Sequence, residues 1–284
     1  MNFENILSEI EKVDPEVYER LDTRRSTLKR FKDIAGKLSL AAIPMALGSM
    51  FNKAYSQTAT GAQVVDILNY ALTLEYLEAE FYKRAVTSFA TIGVPAGAAQ
   101  MAITTIRDHE VAHVNFLRTA ISGAGGTPVT FTAANFDFTA GNGSMAGPFA
   151  NVFTNYNTFL AVAQTFEDTG VRAYKGRAAE LVRTGDVLSA ALRIHSVEAR
   201  HAAHIRLMRK ANNFGDVKPW ITGNQTGIGA AVQASYNGEE NTVQAGVQIT
   251  GINGLGITAE AASESFDEGL TPAQVLAIVD PFII

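Results

Sequence analysis

The sequence predicts an all-α protein: a four-helix bundle with a long loop between helices 2 and 3 and a C-terminal extension. Three observations lead there. Four stretches repeat apolar residues at alternating three- and four-residue steps, the spacing of one helical face. Each stripe is interrupted near its middle by Glu, or by Glu and His. The 284 residues include no cysteine, which excludes disulfides, zinc-thiolate sites, iron-sulfur clusters, c-type haem and cysteine nucleophiles. The composition, 47% apolar and 18% charged, is that of a globular chain rather than a disordered one. A net charge of -5 argues against a general nucleic-acid-binding surface. Any metal must be held by imidazole and carboxylate, a donor set that favours iron, manganese or zinc.

Residues 1–56 read as a leader. A charged stretch over 1–22 runs into Thr23-Arg24-Arg25-Ser26-Thr27-Leu28-Lys29, then a short apolar run over 38–51 and small residues at Ala54 and Ser56. Basic segment, apolar core and small residues are the parts of an export signal. The run is too short to span a bilayer, which takes about 20 residues. The paired arginines resemble the twin-arginine export signal, although Thr27 stands where that signal usually has a bulky apolar residue. The resemblance implies an exported protein, periplasmic or extracellular, whose mature chain starts near Gln57. A basic amphipathic helix lying on the domain or on a membrane surface is the alternative.

The bundle is expected over 57–211. Helix 1, over 61–88, carries Val64, Leu68, Ala71, Glu75, Glu78 and Tyr82 on one face. Helix 2, over 95–122 with Pro95 placed to start it, carries Ile103, Ile106, Glu110, His113 and Leu117. Residues 123–148, rich in Gly, Thr and Phe, read as the long loop. Helix 3 gives Phe153, Tyr156, Leu160, Ala163, Glu167, Gly170 and Tyr174. Beyond Thr184-Gly185-Asp186, helix 4 gives Val187, Ala191, Ile194, Glu198, His201, Ile205 and Met208. Residues 212–284 are too glycine-rich for a fifth long helix and read as an extension packed on the bundle, with a helix starting at Thr271-Pro272-Ala273-Gln274.

A lone carboxylate in an apolar seam costs several kcal/mol unless it is paired or protonated. Four helices each carrying one at matching depth, with no Lys or Arg in the stripes, point to one shared partner, and a metal pair suits all four. Glu110-x-x-His113 and Glu198-x-x-His201 place a carboxylate and an imidazole about one turn apart on one face. One Glu from each of two helices plus Glu-x-x-His from the other two is the ligand pattern of carboxylate-bridged di-metal bundles.

On these residues the chain resembles the ferritin-like superfamily. On Ile67-to-Tyr82, Phe166-to-Gly176 and Phe266-to-Phe282 it resembles, more narrowly, exported ferritin-like domain proteins related to plant desiccation-related proteins. The resemblance implies Glu75, Glu110, His113, Glu167, Glu198 and His201 as metal ligands, two iron or manganese ions per chain, and Tyr82 close to them. It implies redox chemistry with oxygen or peroxide, of oxidase, peroxidase or catalase type. The partners implied are metal ions and small oxidants, with no nucleic acid and no stable membrane span; assembly into a homo-oligomer is left open. Many active members of the superfamily carry Asp just before the Glu of each Glu-x-x-His; here those positions are His109 and Val197.

Two other readings use the same residues. A stress- or desiccation-related structural protein would keep the bundle with a vestigial or purely structural metal site. A zinc hydrolase would use His109-Glu110-Val111-Ala112-His113 as H-E-x-x-H, but needs a third protein ligand and leaves the second Glu-x-x-His unexplained. Of the remaining candidates, His109, His195 and His204 read as surface residues or as supports behind the ligands, with His204 in reach of the site rim; Glu78 reads as a solvated or hydrogen-bonded carboxylate rather than an extra ligand, and Tyr156 and Tyr174 as core aromatics.

Overall fold

The computed structural model describes residues 61–284 apart from Arg183; the expected leader and the start near Gln57 lie outside the described residues. Four long helices form where the periodicity places them: α1 (Gly61–Thr87), α2 (Ala98–Gly123), α3 (Tyr156–Ala178) and α4 (Asp186–Ala211). Consecutive helices pack as hairpins, α1 on α2 and α3 on α4, and the hairpins meet along a more open seam. No helix among the described residues is long and apolar enough to cross a membrane.

Two helix starts differ from the sequence reading. Pro95 lies in the irregular link after the single helical turn Phe89–Ile92, and α2 begins three residues later. Gly97 at φ +90° makes that entry, a conformation side-chain-bearing residues rarely adopt. Helix α3 begins at Tyr156 because the Asn155 side chain accepts a hydrogen bond from the Thr158 amide at 3.0 Å, an N-cap. Phe153 therefore sits before the helix, although it is still buried.

The expected loop is well packed. Phe138 and Phe153 join Phe81, Phe159 and Phe166 in a cluster with ring centroids 5.1–5.6 Å apart. Buried Asp137 holds the loop by accepting from Thr139 Oγ1 at 2.6 Å and from the amides of Thr139, Gly143 and Met145 at 3.0 Å each. Phe136 bridges to Ile283, so the loop is tied to the extension as well.

Helix α3 departs most from a simple amphipathic pattern: Phe159 to Tyr174 are all buried. One face lies in the bundle and the other is covered by 212–284. Arg172 donates to the carbonyls of Ser235, Asn237 and Glu268 at 2.6, 2.9 and 2.8 Å and pairs with Glu239. Arg206 grips Asp168 through two bonds of 3.0 and 2.5 Å, and Tyr236 donates to the same carboxylate. Arg209 reaches Gln164 and the carbonyls of Phe214 and Gly227. At Gly176 a Cβ would fall 1.9 Å from the Leu270 carbonyl oxygen, so the closest approach of the extension requires glycine. The extension adds α5 (Ala259–Ser263) and α6 (Pro272–Val279). As the sequence indicates, Pro272 opens α6, and Thr271 and Gln274 form a capping box. The strand content of the described residues is one two-residue pairing, β1 (Val243–Gln244) with β2 (Val247–Gln248).

Candidate metal centre

The six stripe residues meet at the seam between the hairpins. Glu75, Glu110, Glu167 and Glu198 are fully buried; His201 is 5% exposed, and His113 is half-buried. Their donor atoms form two groups of four, each with all atoms within 4.8 Å of one another: Glu75, Glu110, His113 and Glu198; and Glu110, Glu167, Glu198 and His201. Glu110 and Glu198 belong to both. Each hairpin thus supplies three members of its own group and one of the other's.

The contacts converge on the imidazoles. His113 Nδ1 lies 3.0 Å from Glu75 Oε2, 3.2 Å from Glu110 Oε2 and 3.0 Å from Glu198 Oε1. His201 Nδ1 lies 2.8 Å from Glu110 Oε1, 3.3 Å from Glu167 Oε2 and 3.4 Å from Glu198 Oε2. These distances do not all amount to hydrogen bonds. Glu110 Oε1, Glu167 Oε2, both Glu198 oxygens and His201 Nδ1 are buried without a correctly oriented hydrogen-bond partner. Buried polar atoms are ordinarily satisfied; here they crowd together unsatisfied, as donor atoms aimed at a common guest would.

Two tyrosines brace the cluster. Tyr82 donates to Glu167 Oε1 at 2.5 Å, and Tyr174 donates to Glu75 Oε1. Burial, followed by the adjacent Glu167 and Glu75 charges, raises both phenols well above the ordinary tyrosine range, so both remain donors. Tyr174, read from the sequence as a core aromatic, is therefore a site residue. The signal was present: Tyr82 follows Glu75 by seven residues, Tyr174 follows Glu167 by seven, and each tyrosine crosses the seam to the other's glutamate.

His109, read from the sequence as a surface or supporting residue, takes the supporting role. Its Nδ1 lies 2.9 Å from His201 Nε2, with the rings stacked at 5.2 Å. Desolvation, then the nearby His201 charge, lowers its pKa, which keeps His109 neutral and able to accept from His201 Nε2–H. A partner on the far nitrogen fixes a ligating imidazole's tautomer and orientation. His109 does this from the position where many superfamily members have Asp; the corresponding Val197 has no polar atom to offer His113. The zinc-hydrolase constellation does not assemble, because His109 joins neither group of candidate ligands.

Glu78 is also buried and adds a fifth carboxylate on α1. Gly170 makes room opposite: a Cβ there would lie 3.1 Å from Glu78 Oε1 and 3.8 Å from Glu198 Cγ. Burial, then repulsion from Glu198, holds Glu78 well above the usual carboxylate range. Burial, then Glu198, does the same to Glu110. Burial raises Glu167 to about 7 against the pull of His201. At Glu198 burial also pushes upward, but the two imidazoles override it and draw the group down to about 2. Burial would lower His201, yet Glu167 and the other carboxylates push it up to about 12. Five carboxylates around two imidazoles therefore require either protons or added cations.

A family model of the ferritin-like domain matches residues 63–211. The chain belongs to the ferritin-like domain family. No curated protein and no solved structure gives a significant match. The ferritin-like match spans all four long helices and every residue of the cluster. The residues present suit hard or borderline cations: the donors are carboxylate and imidazole, several have no other partner, and the set is closed by two tyrosine bonds.

Proposed function

We propose that this ferritin-like chain binds two metal ions, iron or manganese, and supports redox chemistry with oxygen or peroxide at the pair. The observation that carries the reading is the two overlapping groups of candidate ligands sharing Glu110 and Glu198, in which four carboxylate oxygens and His201 Nδ1 are buried without a hydrogen-bond partner. Glu75 and His113 would serve one ion, Glu167 and His201 the other, and the shared carboxylates both. When bound, the pair supplies electrons or accepts them during reaction with a small oxidant. The protein's part is to hold the carboxylates ionised and in place. Tyr82 and Tyr174 orient Glu167 and Glu75, while His109 fixes the proton on His201 at Nε2 and turns Nδ1 to the cluster. The surrounding apolar seam excludes bulk water, which strengthens every electrostatic interaction inside it.

The test is metal analysis of the chain purified without chelators and after anaerobic loading. About two equivalents of iron or manganese per chain is expected, followed by oxidation of the loaded ferrous protein on admitting oxygen or peroxide. Failure to bind metal under any loading condition sinks the reading. Metal that binds but reacts with neither oxidant leaves a purely structural centre.

Export is the second part of the proposal, and it rests on the sequence over 1–56, with Arg24 and Arg25 followed by a short apolar run. Intact mass of the protein from its native envelope is expected to match a chain starting near Gln57. A full-chain mass favours the amphipathic-anchor alternative.

A further inference from the structure

We infer that the core layer next to the carboxylate cluster is a docking site for a small apolar gas, and that dioxygen reaches the Glu75 side of the centre through it. The inference rests on the redox reading above. A cavity of about 30 Å³ occupies this layer. Its walls stand one helical turn from the cluster: Ala71 precedes Glu75 by four residues, Leu117 follows His113 by four, and Ile194 precedes Glu198 by four. The space exists because Ala71, Ala173 and Ala191 occupy lining positions where larger apolar residues would fill the layer.

The cavity suits a gas better than water. A buried water needs two to four polar partners. The polar groups on these walls are few and mostly committed: Tyr174 donates to Glu75, and Arg177 is bound to Glu180 by two bonds of 2.8 Å. The Tyr70 hydroxyl has no hydrogen-bond partner, but its ring and the Arg177 guanidinium lie together, and apart from these two and Tyr174 every lining residue is apolar. Apolar cavities stay dry and take up xenon or small hydrocarbons; dioxygen, also apolar, partitions into such space from water. Tyr174 lines this layer and donates its hydroxyl to Glu75, so one side chain touches both the cavity and the cluster. Hydrogen peroxide and metal cations need polar partners, and the half-buried His113 and exposed His109 offer them on another side of the cluster.

Xenon is the probe. The full chain, with and without metal, is expected to bind xenon in this cavity, read by xenon NMR or by xenon-pressurised crystals. Ala191→Leu, or Ala191→Val if the larger side chain disturbs folding, is expected to abolish the xenon signal while metal stoichiometry stays unchanged. In the ferrous-loaded chain, two ions give one electron each to dioxygen, which takes two protons and leaves as hydrogen peroxide. The filled variant should slow this reaction several-fold. With hydrogen peroxide as oxidant, the same two electrons and two protons yield two waters, and the rate should not change. No xenon binding in the parent chain overturns the inference, as does a filled variant that excludes xenon but keeps the parent rate with dioxygen. A metal-loaded chain inert to both oxidants overturns the redox reading and this route together. A reactive chain whose dioxygen rate ignores the filling overturns only the route.

Discussion

Glu167 and Asp168 are consecutive and both buried, yet they leave α3 in opposite directions. Glu167 enters the seam, where its Oε2 has no oriented partner. Asp168 enters the layer beneath the extension, where Arg206 and Tyr236 meet it with hydrogen bonds. The first region gathers charge of one sign and leaves donor atoms open. The second matches Asp168 with Arg206 and Glu239 with Arg172, and spends most of the remaining N–H groups on backbone carbonyls, leaving only Arg209 Nε, Glu239 Oε2 and Ser235 Oγ without a partner. Burial is nearly equal in the two, so burial alone does not mark a functional site. What separates them is charge balance: carboxylates paired with guanidiniums fasten one segment to another, and carboxylates crowded against one another hold a place for something else.

That contrast is broken most severely by removing a carboxylate that both groups share. Glu198→Ala should abolish binding of both ions, whereas Glu75→Ala should spare the Glu167–His201 group and leave about one equivalent per chain. Elemental analysis after loading distinguishes them; two ions retained by Glu198→Ala would show that the carboxylate is not shared. On the other face, Arg206→Ala leaves Asp168 buried without its counter-charge, which typically costs about 3–5 kcal/mol. Urea unfolding should show that loss, while the refolded variant keeps its metal capacity. A loss of metal with unchanged stability would mean the regions are not separate.

The smallest effect sharpens the comparison through pH. In the metal-free chain Glu78, Glu110 and Glu167 titrate above their unfolded values, Glu167 to about 7. A raised carboxyl pKa gives stability that is present at low pH and lost as pH rises through the folded value. The raised His113 and His201 act in the same direction above their unfolded value of about 6.5. Glu198, depressed to about 2, has its stabilisation complete above the ordinary Glu range and adds no slope there. Melting temperature should therefore fall steadily between about pH 4.5 and 7 without metal. Metal at a hundred times its dissociation constant should restore about 2.7 kcal/mol. A flat metal-free profile would mean the seam holds no such cluster.

Much of the centre was legible in the sequence because a helix converts spacing into direction. Glu75, Glu110, His113, Glu167, Glu198 and His201 each fall in phase with an apolar stripe, and phase is enough to bring them to one seam. The tyrosine bonds were legible only in part. Tyr174 repeats the spacing of Tyr82, but a tyrosine in an apolar stripe is chemically adequate as core, so spacing alone did not assign its hydroxyl. The arginine network was hidden for a different reason. Arg172, Arg206 and Arg209 lie on the helix faces that composition assigns to water, and only the return of 212–284 covers them. Nothing local in α3 announces that a segment far along the chain will bury its polar face. The starts of α2 and α3 were displaced because Gly97 and Asn155 set the entries, and neither residue belongs to the apolar periodicity.

The exchange of Glu110 and Glu198 between the two groups gives the hairpins the relation that identical halves of a symmetric pair would have, each lending the other what it lends back. In such a pair every position would be bound to match its mate. Drawn into one chain, the halves are free to differ, and at one place beside the cluster they do: His109 supports His201, while Val197 leaves His113 without an equivalent support. The covalent link across residues 124–155 therefore does more than hold two hairpins together. It permits the two groups of donors to be given different affinities and different tasks, an inequality that no assembly of matching halves could encode.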